Sequence, residues 1–178
     1  MKNKNLDNIA NKLVNAFLKN KIIAAIPSRY TKKLPEAQSL RKLCESKIFK
    51  PIAGFKAAGT GIPMLKKLKE KEPFYATVYK HNVINNNKSV QINKFTLGIE
   101  LEVCYLIKKS FFDFRKKIDK KNYKKFITHI APCIEVVGYR QRKKGINSLG
   151  DLCSDFGANV KFILGQKKKF KKNNVKNL

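Results

Sequence analysis

Three glutamates stand where their type and spacing could do chemistry. Glu100 and Glu102 lie inside the apolar run TLGIELEVCYLI, and Glu135 is the lone acid of APCIEVVGY. Side chains alternate along a strand, so Glu100 and Glu102 share one face about 6.6 Å apart. Clustered carboxylates repel one another, and a hard cation such as Mg²⁺ or Mn²⁺ removes that repulsion. The pattern predicts a metal site, although for any single glutamate a solvent-facing position is the simpler interpretation.

Lys56 is a candidate site residue because of its neighbours. It lies in AGFKAAGTG, after a short apolar segment and among glycines, which permit close approach of a ligand to the backbone. The alternative is that Lys56 is one more solvated residue among 35 lysines. The neighbouring glycines lead us to favour a site role for Lys56.

The charge of the chain is strongly positive. It has 40 Lys and Arg against 12 Asp and Glu, a net charge of +28. Lysines make up 35 of the 40, whereas proteins that read nucleic acid favour arginine for bidentate contacts. A solvated lysine surface is therefore the preferred interpretation, and nucleic acid is not the expected partner. A non-catalytic basic module that binds nucleic acid or anionic surfaces stays open as an alternative.

Other classes of function find little support. There is no run of about 18 apolar residues and no signal-peptide pattern, which predicts no membrane partner and a cytoplasmic location. The four cysteines are far apart and form no CxxC pair, which argues against zinc and disulfides. His81 and His129 lack the partners of a catalytic triad.

A helical part followed by a sheet-based part must position these residues. Apolar spacing predicts helices over about residues 5–19, in LPEAQSLRKLCESK and in GTGIPMLKKLKEKEP, with another near residues 120–129. Strands are predicted in PIAGF, FYATVYK, SVQI, LGIELEVCYLI, CIEVVGY and VKFILG, with a turn at 85–87. The predicted fold class is α+β, with a helical segment over 1–50, a domain over 51–166 and a disordered basic tail over 167–178.

Five segments together resemble a known family. AGFKAAGTG, EPFYATVY, GIELEVCYLI, IAPCIEVVGYR and CSDFGANVKFILG occur in the order and spacing typical of the 2-keto-4-pentenoate hydratase family. This is the hydratase and decarboxylase branch of the fumarylacetoacetate hydrolase superfamily, and the similarity covers most of residues 5–165. The resemblance implies N-terminal helices followed by a partial mixed β-roll of the fumarylacetoacetate hydrolase C-terminal-domain type.

The resemblance also implies an activity. The implied enzyme is a cytoplasmic lyase of aromatic compound catabolism that adds water to 2-hydroxypenta-2,4-dienoate-type substrates and gives 4-hydroxy-2-oxo acids. A 4-oxalocrotonate-type decarboxylase is the alternative within the family, because both reactions use the same metal ligands. The implied partners are a small 2-oxo or 2-hydroxydienoic acid and, if the chain is intact, further copies of itself.

Residue roles follow from the same resemblance. Glu100, Glu102 and Glu135 match the carboxylates that bind Mg²⁺ or Mn²⁺, and Lys56 matches the active-site lysine. The residues matching the substrate-binding positions are Arg140, Asp155, Gly157 and Asn159.

The chain departs from the family in two ways. Relatives commonly carry an acid and a glycine where Phe74 and Ala76 stand, and often an asparagine in place of Phe156. Relatives also continue where this chain turns into lysines at about Gln166, which predicts a C-terminal truncation and leaves the activity of the truncated chain open. A sheet that lacks strands is expected to expose an edge and an apolar face.

Overall fold

The computed structural model describes residues 4–85, 88–111, 118–141 and 145–171. Helices come first and strands dominate later in the chain. In chain order the elements are α1 (Lys4–Lys19), α2 (Leu34–Glu45), β1 (Ile52–Ala58), α3 (Ile62–Lys67), β2 (Phe74–Tyr79), β3 (Val83–Asn85), β4 (Thr96–Ile107), β5 (Ile127–Gly138), α4 (Leu149–Ser154), β6 (Asn159–Leu164) and β7 (Lys168–Lys169).

The described strands form two sheets. β1 and β2 pair as an antiparallel two-stranded sheet, and α3 lies in the connection between them. The larger sheet has the order β3-β6-β5-β4, and β7 also pairs with β5. β3 runs parallel to β6 while the other pairs are antiparallel, so the sheet is mixed. The predicted α+β class, with helices followed by a mixed sheet, is confirmed, and the finer β-roll type stays a prediction.

The N-terminal helices supply one hydrophobic core. In α1, Ile9, Leu13 and Phe17 recur at helical spacing and are buried. They pack in one cluster with residues of α2, and Phe156 joins the same cluster from the segment before β6. The ring centroids of Phe17 and Phe156 are 4.2 Å apart. This contact fastens the start of the chain to the segment that leads into β6.

Several predicted elements are corrected by the structure. Residues 89–92, predicted as a strand, are not in one, and β3 takes the place beside β6 instead. Near residues 120–129 a short 3₁₀ helix over Tyr123–Phe126 passes into β5 at Ile127, because pairing with β4 overrides the helical spacing. The short elements β3 and α4 were not predicted. Of the predicted turn at 85–87, residues 86–87 lie outside the described residues.

The predicted basic tail begins with structure. Lys168–Lys169 form β7 against β5, so this stretch is not disordered as predicted, and residues 172–178 lie outside the described residues. β4 is the last strand in the order of the larger sheet, and its Ile99 and Leu101 are 64% and 82% exposed. β4 thus carries exposed apolar side chains, and the truncation of the chain stays a prediction. In the described part of the chain, no helix has the length and apolar character to span a membrane.

Candidate active site

Strand pairing brings the three glutamates together. In the antiparallel register of β4 and β5, Glu100 lies opposite Glu135 and Glu102 lies opposite Cys133. Side chains that face each other across the pair, and their neighbours two residues away, share one face of the sheet. One carboxylate oxygen from each glutamate lies within 4.8 Å of the other two. Glu135 is buried, whereas Glu100 and Glu102 are exposed, so the cluster opens to solvent from one side.

Lys56 reaches this cluster from β1, in the two-stranded sheet. Its ammonium nitrogen Nζ lies 2.5 Å from Oε1 of Glu135 and donates a second hydrogen bond, of 3.2 Å, to the carbonyl of Gly157. The side chain of Lys56 is 10% exposed and that of Glu135 is 1% exposed. A lysine and a glutamate that are 79 residues apart thus form a largely buried ion pair beside two further carboxylates.

The environment of Glu135 disfavours its charged form. Burial raises the pKa of this carboxyl from 4.5 to about 7, and the charges of Glu100 and Glu102 add to the increase. The ammonium group of Lys56 acts in the opposite direction and lowers the pKa, but burial prevails. A buried carboxyl in such a place needs additional positive charge to ionise fully at neutral pH.

The segment before β6 is held in an uncommon backbone conformation. Phe156, Gly157 and Ala158 have φ angles of 55°, 72° and 61°. For residues other than glycine this left-handed region costs about 1–2 kcal/mol each. A Cβ on Gly157 would lie 2.7 Å from the Cβ of Ala76, so only glycine fits there. The result is that the Gly157 carbonyl is presented to Lys56.

A second ion pair fixes this segment to the end of β5. Nη1 of Arg140 lies 2.9 Å from Asp155, whose other oxygen accepts the backbone N–H of Arg140 at 2.6 Å. Nη2 of Arg140 donates to the carbonyl of Asn159 at 3.1 Å. The guanidinium lies over the rings of Phe17 and Phe95, at 4.9 and 5.2 Å from their centroids. Arg140 is 1% exposed and Asp155 is 0% exposed.

The predicted site residues therefore separate into two groups. The first consists of residues brought together at the cluster: Lys56, Glu100, Glu102, Glu135 and Gly157. In the second group, Arg140 and Asp155 bind each other. The amide nitrogen of Asn159 donates to the carbonyls of Thr77 and Phe156. The second group holds the left-handed segment in place, and a direct contact with substrate stays a prediction for its members.

Phe74 is part of the core. It is 4% exposed and packs in a cluster with Ala58, Ala76 and Leu149. Its ring fills space between β2 and α4. Position 74 therefore contributes an apolar contact and no group that could transfer a proton.

A partly buried ion pair near β2, between Arg41 and Glu45, was not predicted from the sequence. Arg41 is 1% exposed and its Nη1 lies 2.6 Å from Oε1 of Glu45. The same oxygen accepts the backbone N–H of Thr77 at 3.3 Å, and the Arg41 guanidinium lies 5.1 Å from the Tyr75 ring centroid. The pair fastens α2 to β2. Its i,i+4 spacing in the sequence was a detectable signal, since arginines are scarce in this chain.

The α+β fold with a mixed sheet is shared with solved enzyme structures. One is 4-oxalocrotonate decarboxylase from Pseudomonas putida G7 complexed with calcium and acetate, with a TM-score of 0.78 and 14% identity. The alignment covers 100% of this chain and 66% of that chain. Another structure of that enzyme, complexed with magnesium and adipate, has a TM-score of 0.74 and 14% identity over 100% and 67% of the two chains.

These similarities concern the fold. The chain spans about two thirds of the length of the decarboxylase chains it resembles. The sequence matches no protein-family model and no curated protein.

Proposed function

We propose that the chain is a metal-dependent lyase-type enzyme for small 2-oxo or 2-hydroxydienoic acids, with its centre at Glu100, Glu102, Glu135 and Lys56. The observation that carries the proposal is the convergence of one oxygen from each of the three carboxylates within 4.8 Å, beside a buried lysine. Acids are scarce in a chain of net charge +28, so three of them at one place favour a site over an ordinary solvated surface.

The donor set fits a hard divalent cation. Three carboxylates supply oxygen ligands of the kind that Mg²⁺ and Mn²⁺ prefer. When bound, such an ion acts as a Lewis acid and a template for the adjacent carboxylate and keto oxygens of a 2-oxo acid. The solved decarboxylase structures contain calcium with acetate and magnesium with adipate, a divalent metal together with a carboxylic acid in each case. That combination supports the proposed class of ligand.

The chain's own residues supply binding and proton transfer. The Lys56 ammonium is held at 2.5 Å from Glu135, and the side chain of Lys56 is 10% exposed. It can therefore bind the carboxylate of a substrate or transfer a proton to or from the substrate. The Gly157 carbonyl and the left-handed turn around it orient Lys56. The Arg140–Asp155 pair positions that turn from behind. Glu135 and Lys56 form the buried side of the cluster, and Glu100 and Glu102 form its solvent-exposed side.

Two reactions suit this arrangement. Hydration of 2-hydroxypenta-2,4-dienoate is the reaction implied by the family resemblance of the sequence. Decarboxylation of 4-oxalocrotonate is favoured by the fold neighbours, which are 4-oxalocrotonate decarboxylases. Both reactions need a chelated 2-oxo acid and a proton donor, so the same residues serve either one.

Metal binding is tested first, by titrating Mn²⁺ into the metal-free chain and measuring free Mn²⁺ by electron paramagnetic resonance. We expect one ion per chain, and at least a tenfold loss of affinity in a Glu100→Gln/Glu102→Gln variant. Glu70→Gln/Glu72→Gln is the matched control, because it removes two acids at the same spacing elsewhere in the chain. Equal affinity in the wild type and the Glu100/Glu102 variant would contradict the site.

Turnover is tested next with both substrates, with and without Mg²⁺. Loss of the dienol absorbance of 2-hydroxypenta-2,4-dienoate reports hydration, and release of CO₂ from 4-oxalocrotonate reports decarboxylation. We expect one of the two reactions to depend on Mg²⁺ and to be lost in Lys56→Met. Binding of Mn²⁺ with neither reaction would restrict the proposal to a metal-binding chain without this catalysis.

A further inference from the structure

One end of the larger sheet carries a dense group of lysines. They come from three segments of the described chain, 108–111, 118–126 and 167–171, and all are exposed. The members of this basic end are Lys108, Lys109, Lys120, Lys121, Lys124, Lys125, Lys167, Lys168, Lys169 and Lys171. Within these segments Asp119 is the one acid. Ten positive charges with a single negative charge form a strongly positive surface.

The fold, not the order of the sequence, gathers the three segments. The backbone N–H of Lys108, just after β4, donates to the carbonyl of Phe126 at 2.7 Å. β7 pairs with the start of β5, where Lys169 lies opposite His129. The backbone N–H of Phe170 donates to the carbonyl of Thr128 at 2.9 Å. Residues 59 positions apart in numbering, such as Lys109 and Lys168, are thereby brought to one end of the sheet.

Aromatic side chains lie within the basic end. They line a cavity of about 440 Å³ whose walls are Tyr105, Ile107, Phe111, Tyr123, Lys124, Phe126, Ile127 and Phe170. Tyr105 and Tyr123 are each 41% exposed. Nζ of Lys124 lies 5.8 Å from the ring centroid of Tyr123. Flat aromatic surfaces that stay accessible are thus interleaved with positive charges.

We propose that the basic end binds single-stranded nucleic acid without regard to its sequence. Lysines neutralise the phosphates, and the exposed rings of Tyr105 and Tyr123 provide surfaces on which unpaired bases stack. Lysine is a point charge that contacts phosphate without reading bases, which agrees with the scarcity of arginine in the chain. Only a single strand offers both the charges and the free base faces.

The basic end is separate from the glutamate cluster. Side chains alternate along β4, so Tyr105 faces the side of the sheet opposite to Glu100 and Glu102. The acids therefore do not line the proposed surface. The inference rests on the lysines and rings alone and does not depend on the enzymatic proposal.

The first experiment separates this surface from the net charge of the chain. Binding of a fluorescein-labelled twelve-nucleotide oligouridylate is measured by anisotropy from 50 to 200 mM KCl. A Lys120→Gln/Lys121→Gln/Lys124→Gln variant is compared with Lys66→Gln/Lys67→Gln/Lys71→Gln, which removes the same charge from α3 and the loop after it. We expect at least tenfold weaker binding at 100 mM KCl in the first variant and less than twofold in the second.

The salt dependence gives a second readout from the same data. Each phosphate contact to a single strand contributes about 0.7 to the slope of log affinity against log salt concentration. We expect the slope to fall by about 2 in the first variant, for three lost contacts, and to be unchanged in the second. Equal losses in both variants would show that only net charge is at work and would overturn the proposal.

The second experiment tests stacking. We expect Tyr105→Leu/Tyr123→Leu to weaken binding at least fivefold with little change in the salt slope, because stacking is not an ionic contact. Phe49→Leu is the control, since this ring is 92% exposed and lies elsewhere in the chain. Circular dichroism checks that all variants keep the fold. An unchanged affinity in the tyrosine variant would overturn the stacking role and with it the single-strand proposal.

Two further probes distinguish other partners. A duplex of the same twelve nucleotides has more phosphates but hides its bases, and we expect it to bind more weakly than the single strand. Tighter binding of the duplex would contradict the proposal. Vesicles containing 30% phosphatidylserine test an anionic membrane surface, and preferential binding to them over the oligonucleotide would overturn it as well.

Discussion

The Lys56–Glu135 and Arg140–Asp155 ion pairs are both buried, but they are held in different ways. Asp155 accepts hydrogen bonds from the backbone N–H and the side chain of Arg140. The guanidinium also donates to the Asn159 carbonyl and lies over aromatic rings. Lys56 makes one bond to Glu135 and one to a carbonyl. A planar guanidinium with several fixed partners must break several bonds to move away from its carboxylate. An ammonium group on a flexible side chain breaks fewer bonds and moves more easily.

The two carboxyls differ in their neighbours as well. Burial raises the pKa of Asp155, but Arg140 opposes that increase through both its charge and its hydrogen bonds. Glu135 faces two further acids, Glu100 and Glu102, and its pKa is raised to about 7. The two carboxyls thus differ in their like-charged neighbours. We therefore expect the Arg140–Asp155 pair to be structural and the Lys56–Glu135 pair to belong to the proposed site.

The largest expected effect is the loss of Arg140. Removing one partner of a buried pair leaves an uncompensated charge, which costs about 3–5 kcal/mol. We expect Arg140→Met to lower the free energy of unfolding by this amount, and Arg140→Met/Asp155→Leu to recover much of it. Urea denaturation followed by circular dichroism measures both.

Lys56→Met is the comparison for the same measurement. We expect it to cost less than half as much, because the Glu135 carboxyl can take up a proton at a pH near 7 and avoid a buried charge. If Arg140→Met were no more destabilising than Lys56→Met, the distinction between a structural and a functional pair would fail.

The second effect is a pH dependence that belongs to Glu135. Its folded pKa of about 7 lies above the ordinary value of 4.5, so the folded chain binds more protons between these values. Stability from this group is present below pH 4.5 and is lost as the pH rises through 7. The full difference amounts to about 3 kcal/mol at about 1.4 kcal/mol per pKa unit.

Glu135→Gln tests this with EDTA present. We expect its stability to decline less than that of the wild type between pH 5 and 8 in urea denaturation. Glu36→Gln, which changes an exposed acid on α2, serves as the control and should follow the wild type. Parallel curves for the wild type and Glu135→Gln would show that the carboxyl is not perturbed as described.

The third effect concerns the left-handed segment that the two pairs share. Gly157 and Gly145 have similar φ angles of +72° and +74°, but only at Gly157 would a Cβ meet another atom, the Cβ of Ala76 at 2.7 Å. We expect Gly145→Ala to cost about 1 kcal/mol for its backbone and Gly157→Ala about twice that. Thermal denaturation measures the difference.

Ala76→Gly in the Gly157→Ala background is the matched rescue. It removes the atom that the new methyl group would strike, and we expect it to recover part of the loss. No recovery would mean that the strain arises in the backbone alone and not in the contact between β2 and the turn.

The sequence predicts which side chains share a face of β4, but it does not predict which distant residues the buried side chains contact. Strand alternation is local, so the shared face of Glu100 and Glu102 follows from two positions in one run. The approach of Glu135 and Lys56 depends on pairing across 79 residues, and only the family resemblance supplied it. Substrate binding by Arg140 stays a prediction. Its contact with Asp155 spans 15 residues and its contact with Phe17 depends on the packing of α1, and no local pattern reveals either.

The same limit applies to the basic end. Lys109 and Lys124 are unremarkable in a chain of 35 lysines until the turn after β4 meets the start of β5. The predicted helix near residues 120–129 includes Lys124 and does not predict that Lys124 lies beside the end of β4. Tertiary pairing there overrides the helical spacing of Tyr123 and Phe126, and it also creates the cavity between the rings.

The smallest expected effect is that of the Lys56 charge on the affinity of the glutamate cluster for a divalent cation. The Lys56 ammonium lies against Glu135. A divalent ion bound at the three glutamates would lie close to it, and the two positive charges would repel each other. We expect Lys56→Met, which keeps an unbranched side chain one atom shorter and removes the charge, to bind Mn²⁺ about tenfold more tightly, a difference of about 1.4 kcal/mol. The same variant is expected to lose turnover, so that affinity and activity change in opposite directions.

Two controls separate this effect from general electrostatics. Lys50→Met removes an exposed charge elsewhere and should leave the affinity for Mn²⁺ unchanged within twofold. Lys56→Arg keeps the charge and should not bind the ion more tightly than the wild type. A lower affinity for Mn²⁺ in Lys56→Met would mean that Lys56 favours metal binding instead of opposing it. Lys56 could then not be removed without loss, and the contrast with the Arg140–Asp155 pair would fail.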